Sequence, residues 1–371
     1  MNEHVYTFEG QENIISPQLV YYKDIIADNI LKMTELAGGT ERLWPHVKTH
    51  KMIEVVKMMM AQGIDKFKCA TIAEVEMCAD AGAGKVTLAY PLVGPNIVRF
   101  LQLTGAYPNT EFFAISDCTE QVELIGKTAL ERKKVVNLLM DVDTGQHRTG
   151  VSMDKVEEFY RIWASVPGIV MRGMHCYDGH RHESDYEVRN REVTAVDTRI
   201  AGIKENILAS GLDCGILIMG GTPSFPCHQK LNEEYLSPGT CIIQDAGYRE
   251  AYPDLDFVPG AAILTRVVSV QGNNTFTLDM GTKAVAADPS PERAVIAGME
   301  YAKTVLQNEE HWVVEVPKEH AADIPRVGDV LFAIPVHVCP TSALYPEVPV
   351  ISKGKLVGWW QVTARNRKIT I

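Results

Sequence analysis

KFKCATIAEVEMCADAGAGKVTLAY, residues 66–90, decides how this chain is read. Its two ends, KFKCAT (66–71) and KVTLAY (85–90), are short β-rich apolar runs, and IAEVEMCADAG between them carries apolar residues at helical spacing before closing on glycine. Strands that are apolar on nearly every residue and separated by helices imply a parallel sheet covered by helices.

The same alternation extends from about residue 17 to residue 245. The other strand candidates are LWPHVKT (43–49), EFFAIS (111–116), VVNLLMDVD (135–143), IVMRGMHCY (169–177), GILIMG (215–220) and TCIIQD (240–245), eight in all. Eight such units imply an α/β fold of the (β/α)8, TIM-barrel type. After about residue 250 the texture changes to short alternating strands with turn signals, as in ILTRVVSVQGNNTFTLDMG, HWVVEV and VPVISKGKLVGWWQV, which reads as a C-terminal antiparallel β domain. VYTFEG near the start fits that domain too. The expected division is a barrel over 17–245 and a β domain built from 1–16 and 246–371.

With 371 residues the chain exceeds one ordinary core and suits a barrel plus a second domain. A net charge of −11 with acidic and basic residues interspersed argues against nucleic acid and anionic lipid as partners. MNEHVYTFEGQENI has no basic segment followed by an apolar run, and no stretch of ~18 apolar residues occurs. The eight cysteines are scattered without a CxxC pair, as in a reducing compartment. A cytoplasmic protein is expected, with no membrane partner.

In a barrel of this type reactive groups sit at the C-terminal ends of the strands. RLWPHVKTHK (42–51) puts Lys48, with His46 and His50, at the end of the first candidate strand. DVDTGQHRTG puts Asp141, Asp143, His147 and Arg148 after the fifth, HCYDGHRH puts His175, Tyr177, His180 and His182 at the sixth, and GGTPS (220–224) follows the seventh. Gly221 and Thr222 lie in a turn whose backbone N–H groups could approach an oxyanion, though Gly-Gly-Thr-Pro is also an ordinary turn. A partly desolvated lysine facing such a turn suggests a Schiff base to pyridoxal 5′-phosphate, and Lys48 is the candidate. Arg148 would hold the cofactor's phenolic oxygen or a substrate carboxylate, unless it pairs with Asp141 or Asp143. His175, His180 and His182 are candidate bases, with His175 preferred.

His337 and Cys339, in HVCPTSALYPEV, alternate by two at an expected strand end and would share one face, so they can share a borderline ion. Two buried core residues are the alternative.

The chain resembles the fold type III pyridoxal-phosphate enzymes related to alanine racemase, and within them the D-threonine aldolase and D-serine dehydratase group. PHVKTHK is similar to that group's Schiff-base motif, DTGQHRTG to its arginine segment, HCYDGH to its tyrosine-bearing strand end, GGTPS to its phosphate loop, LDMGTKAVAAD to a C-terminal signature and HVCPTSALYPEV to its metal segment. The resemblance implies Lys48 as the cofactor lysine and Arg148, Tyr177, Gly221 and Thr222 as cofactor contacts. It implies His337 and Cys339 as ligands of a divalent metal, zinc first and manganese second. It also implies a homodimer acting on a D-amino acid. Cleavage of D-3-hydroxy amino acids to glycine and an aldehyde is the leading expectation, with β-elimination to a keto acid and ammonia as alternative and racemisation third. Trp44 stands where many relatives carry arginine.

Overall fold

The structure is a computed structural model that describes residues 3–228, 234–288, 292–367 and 370–371. The chain divides into two compact units, one of Met1–Lys32, Thr49–Met52 and Thr240–Arg365, the other of Met33–Lys48, Ile53–Gly239 and Asn366–Ile371.

In the second unit the strands Lys66–Cys69, Lys85–Leu88, Glu111–Ser116, Val136–Asp143, Ile169–Cys176, Ile216–Met219 and Tyr235–Leu236 pair in parallel in that order, with Val151–Ser152 beside Val136–Asp143. Parallel bridges between Leu43 and Leu236 and between His46 and Lys68 join the first strand to the last through residues 43–46. That segment is the remaining stave, so the parallel barrel expected from the sequence is present. The opening stretch behaves as read. Thr71 caps the helix Ile72–Asp80 by accepting the Glu74 N–H at 3.2 Å, while the Glu74 carboxylate accepts the Ala70 N–H at 2.6 Å. Two helix-end donors that would otherwise be orphaned are thereby satisfied.

Two strand assignments differ. LWPHVKT is a bridged segment followed by a 3-10 turn at Val47–Thr49, because Pro45 has no N–H to give a ladder and the chain turns at once. The last stave is Tyr235–Leu236, ended by Pro238 and Gly239, whereas TCIIQD forms a 3-10 turn at Thr240–Ile242 within the other unit.

The barrel interior is filled by Trp44, Phe113, Ile115, Leu139, Ile216 and Ile218. Trp44 is fully buried, packs edge-on to Phe113 and Tyr235 at 5.6 and 5.2 Å, and donates its Nε1–H to the Phe67 carbonyl at 2.9 Å. A side chain of that size in that place contributes roughly 3–5 kcal/mol. Trp44 is therefore a core plug.

One irregularity positions the chemistry. Between Val136–Asp143 and Ile169–Cys176 the register passes from Leu138 opposite Met171 to Leu139 opposite Gly173, leaving Arg172 as an extra residue. Arg172 reaches outward to Glu111 and Asp213, at 3.8 and 3.5 Å. Beyond the bulge His175 comes opposite Asp141. Gly173 has φ +149°, and a Cβ there would lie 1.7 Å from the Ile216 carbonyl oxygen.

The first unit carries the other sheet. Its strands run in the order Lys303–Gln307, Trp312–Glu315, Thr275–Leu278, Ala261–Val270, Gln18–Tyr22, Glu347–Ser352 and Lys355–Gln361, and Val330–Pro335 pairs with both Ala261–Val270 and Ala294–Ile296. Between these strands the pairings are antiparallel except Gln18–Tyr22 with Glu347–Ser352, and a parallel bridge joins Glu9 to Lys355. Gln18–Tyr22 falls inside the expected barrel range of 17–245 but pairs here, and its Val20 and Tyr22 join Tyr6, Phe8, Leu264, Phe332 and Ile351 in one core. Among the described residues no helix is long and apolar enough to cross a membrane.

Gly173→Ala must displace the neighbouring strand, so it is expected to cost roughly 3 kcal/mol or more. Urea unfolding measures this, and a change within experimental error would mean the bulge relaxes freely.

Candidate active site

The strand ends of the barrel unit gather positive charge around one aromatic ring. Tyr177 follows the strand Ile169–Cys176, and its ring centroid lies 5.7 Å from Lys48 Nζ, 5.2 Å from Lys68 Nζ and 5.0 Å from Arg148 Cζ. Lys48 sits in the turn after the bridged segment, where its backbone N–H donates to His46 Nδ1 at 3.2 Å. Lys48 is half-buried and Arg148 exposed, while Lys68 is buried. None of the three cations has an ion pair among the described residues.

The carboxylates that could have neutralised them are engaged elsewhere. Asp143 holds His147 at 2.7 Å and accepts the Gly145 and His147 amides. Asp141 holds His175 Nδ1 at 2.7 Å and accepts from the Thr149 hydroxyl at 2.8 Å. The pairing of Arg148 with either aspartate, open on sequence grounds, is not formed. His175 is buried, and burial pushes its pKa below the ordinary value; Asp141 opposes that, while Lys68 and Arg148 add to it. A neutral imidazole giving its Nδ1–H to Asp141 keeps its lone pair on Nε2, which is buried without a partner among the described residues. Of the other candidate bases, His180 lies against Gly145 and His182 is exposed.

The Gly220–Ser224 turn is tied to a buried relay. The Gly221 N–H donates to Ser224 Oγ at 3.0 Å, Ser224 Oγ donates to Asp178 at 2.7 Å, and His228 bridges Asp178 and Asp197 at 3.0 and 2.8 Å. Burial alone would lower the His228 pKa, but hydrogen bonds to both aspartates carry it up to about 10. Asp178 is held below the usual carboxylate range by His228 and Ser224 against its burial. Gly221 thus spends its amide on the turn, and its lack of a side chain is what admits Tyr177, since a Cβ would come within 3.1 Å of that ring. Thr222 Oγ1 accepts the Gly239 N–H at 3.0 Å. Sequence reasoning missed Lys68, Asp178, Asp197 and His228; Ser224 was read only as part of the glycine turn, not as a donor to a buried aspartate.

The other unit holds His337 and Cys339. The strand ends at Pro335, His337 precedes the short helix Val338–Ser342, and Cys339 lies on that helix. The period-two argument for a shared face is therefore corrected, because the residues meet across a helix start rather than along a strand. They do meet: a hydrogen bond to Cys339 is the main cause that raises the His337 pKa to about 9, against burial and with help from Asp288. His337 Nδ1 lies 3.0 Å from Asp288, and Cys339 Sγ lies 3.2 Å from Thr49 Oγ1 and 3.7 Å from Thr240 Oγ1. Among the described residues no third His, Cys, Asp or Glu completes a ligand group. His50 is buried in this unit, accepts the Met52 N–H at Nδ1, and is pushed down to about 3 by burial and Lys51.

Residues 23–246 match the family model for the alanine racemase N-terminal domain. The chain belongs to the alanine racemase N-terminal domain family. Residues 260–351 match a second model, a putative serine dehydratase domain. The racemase-family chain is 28% identical to the D-threonine aldolase of Arthrobacter sp over 87% of its own length and 85% of that protein's. It is 23% identical to the D-threo-3-hydroxyaspartate dehydratase of Delftia sp. (strain HT23), over 93% and 96% of the two chains. The D-threonine aldolase structure from Filomicrobium marinum superposes with a TM-score of 0.88 at 23% identity, covering 96% of this chain and 98% of that one. The alanine racemase-like fold expected from the sequence is thereby established.

His228 adds stability that is fully present below pH 6.5 and is lost as pH rises through about 10, because the folded state holds the proton more tightly. His228→Gln is expected to cost roughly 3 kcal/mol or more near pH 6.5. The deficit should shrink steadily towards pH 10, as read by urea unfolding at several pH values; a pH-independent deficit would refute the charged relay.

Proposed function

We propose that the chain is a pyridoxal-phosphate- and metal-dependent lyase of D-3-hydroxy amino acids, of the D-threonine aldolase type. The observation that carries this is Lys48 without a counter-ion among the described residues, sharing the Tyr177 ring with Lys68 and Arg148 beside a turn that a Cβ at Gly221 would crowd. A site with three unpaired cations suits a cofactor and substrate that carry phosphate, phenolate and carboxylate.

When bound, pyridoxal phosphate supplies an electron sink for the bond broken at the substrate's α-carbon. Lys48 provides the amine that holds it. Arg148 is a fixed cation for the phenolic oxygen or the substrate carboxylate, and Tyr177 with the Gly221–Thr222 turn flanks the cofactor. His175 Nε2, with its lone pair available and its ring fixed by Asp141, takes or returns a proton. His337 and Cys339 would hold a divalent ion, zinc before manganese, since an imidazole and a thiolate form a borderline-soft donor pair. Asp288 fixes the His337 ring, as outer carboxylates do for metal-binding histidines. Such an ion supplies Lewis acidity towards a hydroxyl oxygen.

A second reading is β-elimination of the D-serine or D-3-hydroxyaspartate dehydratase type, favoured by the match to a putative serine dehydratase domain over the stretch that contains Cys339. The serine dehydratase-domain match over residues 260–351 supports either lyase over a racemase. A homodimer follows from the resemblance, and a cytoplasmic location from the free cysteines.

Lys48→Ala is expected to lose the visible absorbance of the cofactor-loaded protein and borohydride fixation of the cofactor; Lys51→Ala should keep both. His175→Gln should keep the absorbance and lower kcat by roughly 10²-fold or more. Product analysis separates the readings: glycine and acetaldehyde from D-threonine support the aldolase, and pyruvate with ammonia from D-serine supports the dehydratase. Chelation that leaves either reaction at full rate would remove His337 and Cys339 from the mechanism.

A further inference from the structure

The strand Lys66–Cys69 carries two lysines in contrasting surroundings. Lys66 Nζ is paired with Asp65 at 2.9 Å. Lys68, two residues on, is only 2% exposed, and neither an ion pair nor a hydrogen bond is recorded for its amine among the described residues. Its register partner on the next strand, Thr87, is also buried, with a hydroxyl that has no partner among the described residues. An unpaired ammonium in a protein interior opposes folding, so it is retained where something outside the polypeptide uses it.

The groups facing Lys68 come from every neighbouring element. The bridged segment contributes His46, its backbone partner, and Lys48; the strand Val136–Asp143 and its following loop contribute Asp141 and Arg148; the end of Ile169–Cys176 contributes His175, Tyr177 and Asp178. Both carboxylates are already committed, Asp141 to His175 and Thr149, Asp178 to Ser224 and His228. They act on Lys68 only through space. Burial, then Lys48, lowers its pKa to about 7, with Asp178 and Asp141 opposing.

We propose that Lys68 is a positioning residue for the cofactor held at Lys48: its buried ammonium, without a counter-ion among the described residues, is reserved for an anionic oxygen of the bound cofactor and thereby lowers the proton affinity of the Lys48 nitrogen. The inference rests on the cofactor assignment made above. It differs from the role of Arg148, which stands at an exposed loop and can reach a substrate carboxylate. Lys68 lies on a rigid strand and is fixed by the barrel itself.

Two measurements on the full-length protein test this. Without cofactor, Lys68→Met keeps the packing of the stem and removes the buried charge, so the melting temperature should rise by about 2 °C or more near pH 7. Because the unfolded chain binds the proton more tightly than the folded one, the penalty on the wild type is fully present below pH 7 and fades as pH approaches 10.5, so the gap should close over that range. With cofactor bound, the pH midpoint of the visible absorbance change should move up by about one to two units in Lys68→Met and return towards wild type in Lys68→Arg. A lower melting temperature, or failure to fold, would make Lys68 a structural residue and overturn the proposal; so would an unchanged midpoint. Borohydride fixation on Lys48 keeps the two ideas apart. Its absence in the wild type defeats the cofactor assignment, whereas its presence with an unmoved midpoint defeats only the role of Lys68.

Discussion

Positive charge that the described residues do not neutralise is the constraint around which the barrel unit is arranged. Lys48, Lys68 and Arg148 gather around the Tyr177 ring, and two buried aspartates stand close enough to affect Lys68. Each aspartate is held away by a histidine and a hydroxyl: Asp141 by His175 and Thr149, Asp178 by His228 and Ser224. These bonds have a double effect, since they satisfy both carboxylates and leave the cations available to an anionic ligand.

Backbone devices deliver those side chains. The extra residue Arg172 and the side-chain-free Gly173 shift the register so that His175 comes opposite Asp141. The bridge between His46 and Lys68 closes the barrel and sets the Lys48 segment beside the strand that carries Lys68. Gly220, at φ +73°, turns the chain where a Cβ would meet His228 at 2.8 Å, so the turn and the relay behind it are packed as one piece. Each device depends on a neighbouring strand being in place, which is why the site is as much a product of sheet pairing as of motif.

The other unit meets a different demand. His337 and Cys339 are brought together at a helix start held from several sides: Asp245 accepts the Val338 N–H at 3.0 Å, Thr341 Oγ1 donates to the His337 carbonyl and accepts the Ala286 N–H, and Ser342 Oγ lies 2.8 Å from the Tyr21 hydroxyl. A helix of five residues has little stability of its own, so these tertiary bonds fix where its side chains point.

Much of this was legible in the sequence, because apolar runs and helical spacing are local properties of the chain. EFFAIS is the strand Glu111–Ser116, the middle strands lie within a residue or two of the runs read for them, and the change of texture after residue 250 marks a separate sheet. The motifs around Lys48, Arg148, Tyr177 and Gly221 pointed to neighbours that the fold does bring together. What the sequence left open depended on partners far along the chain. Tyr235–Leu236 is too short to carry a period, yet it is the last stave because Leu43 pairs with Leu236. Lys68 reads as one more lysine until the barrel closes around it, and Arg148 has no ion pair among the described residues because His175 reaches Asp141 and His147 reaches Asp143. Local pattern determines which elements form; which charges they bury, and whether those charges find partners, is set by contacts between strands far apart in sequence.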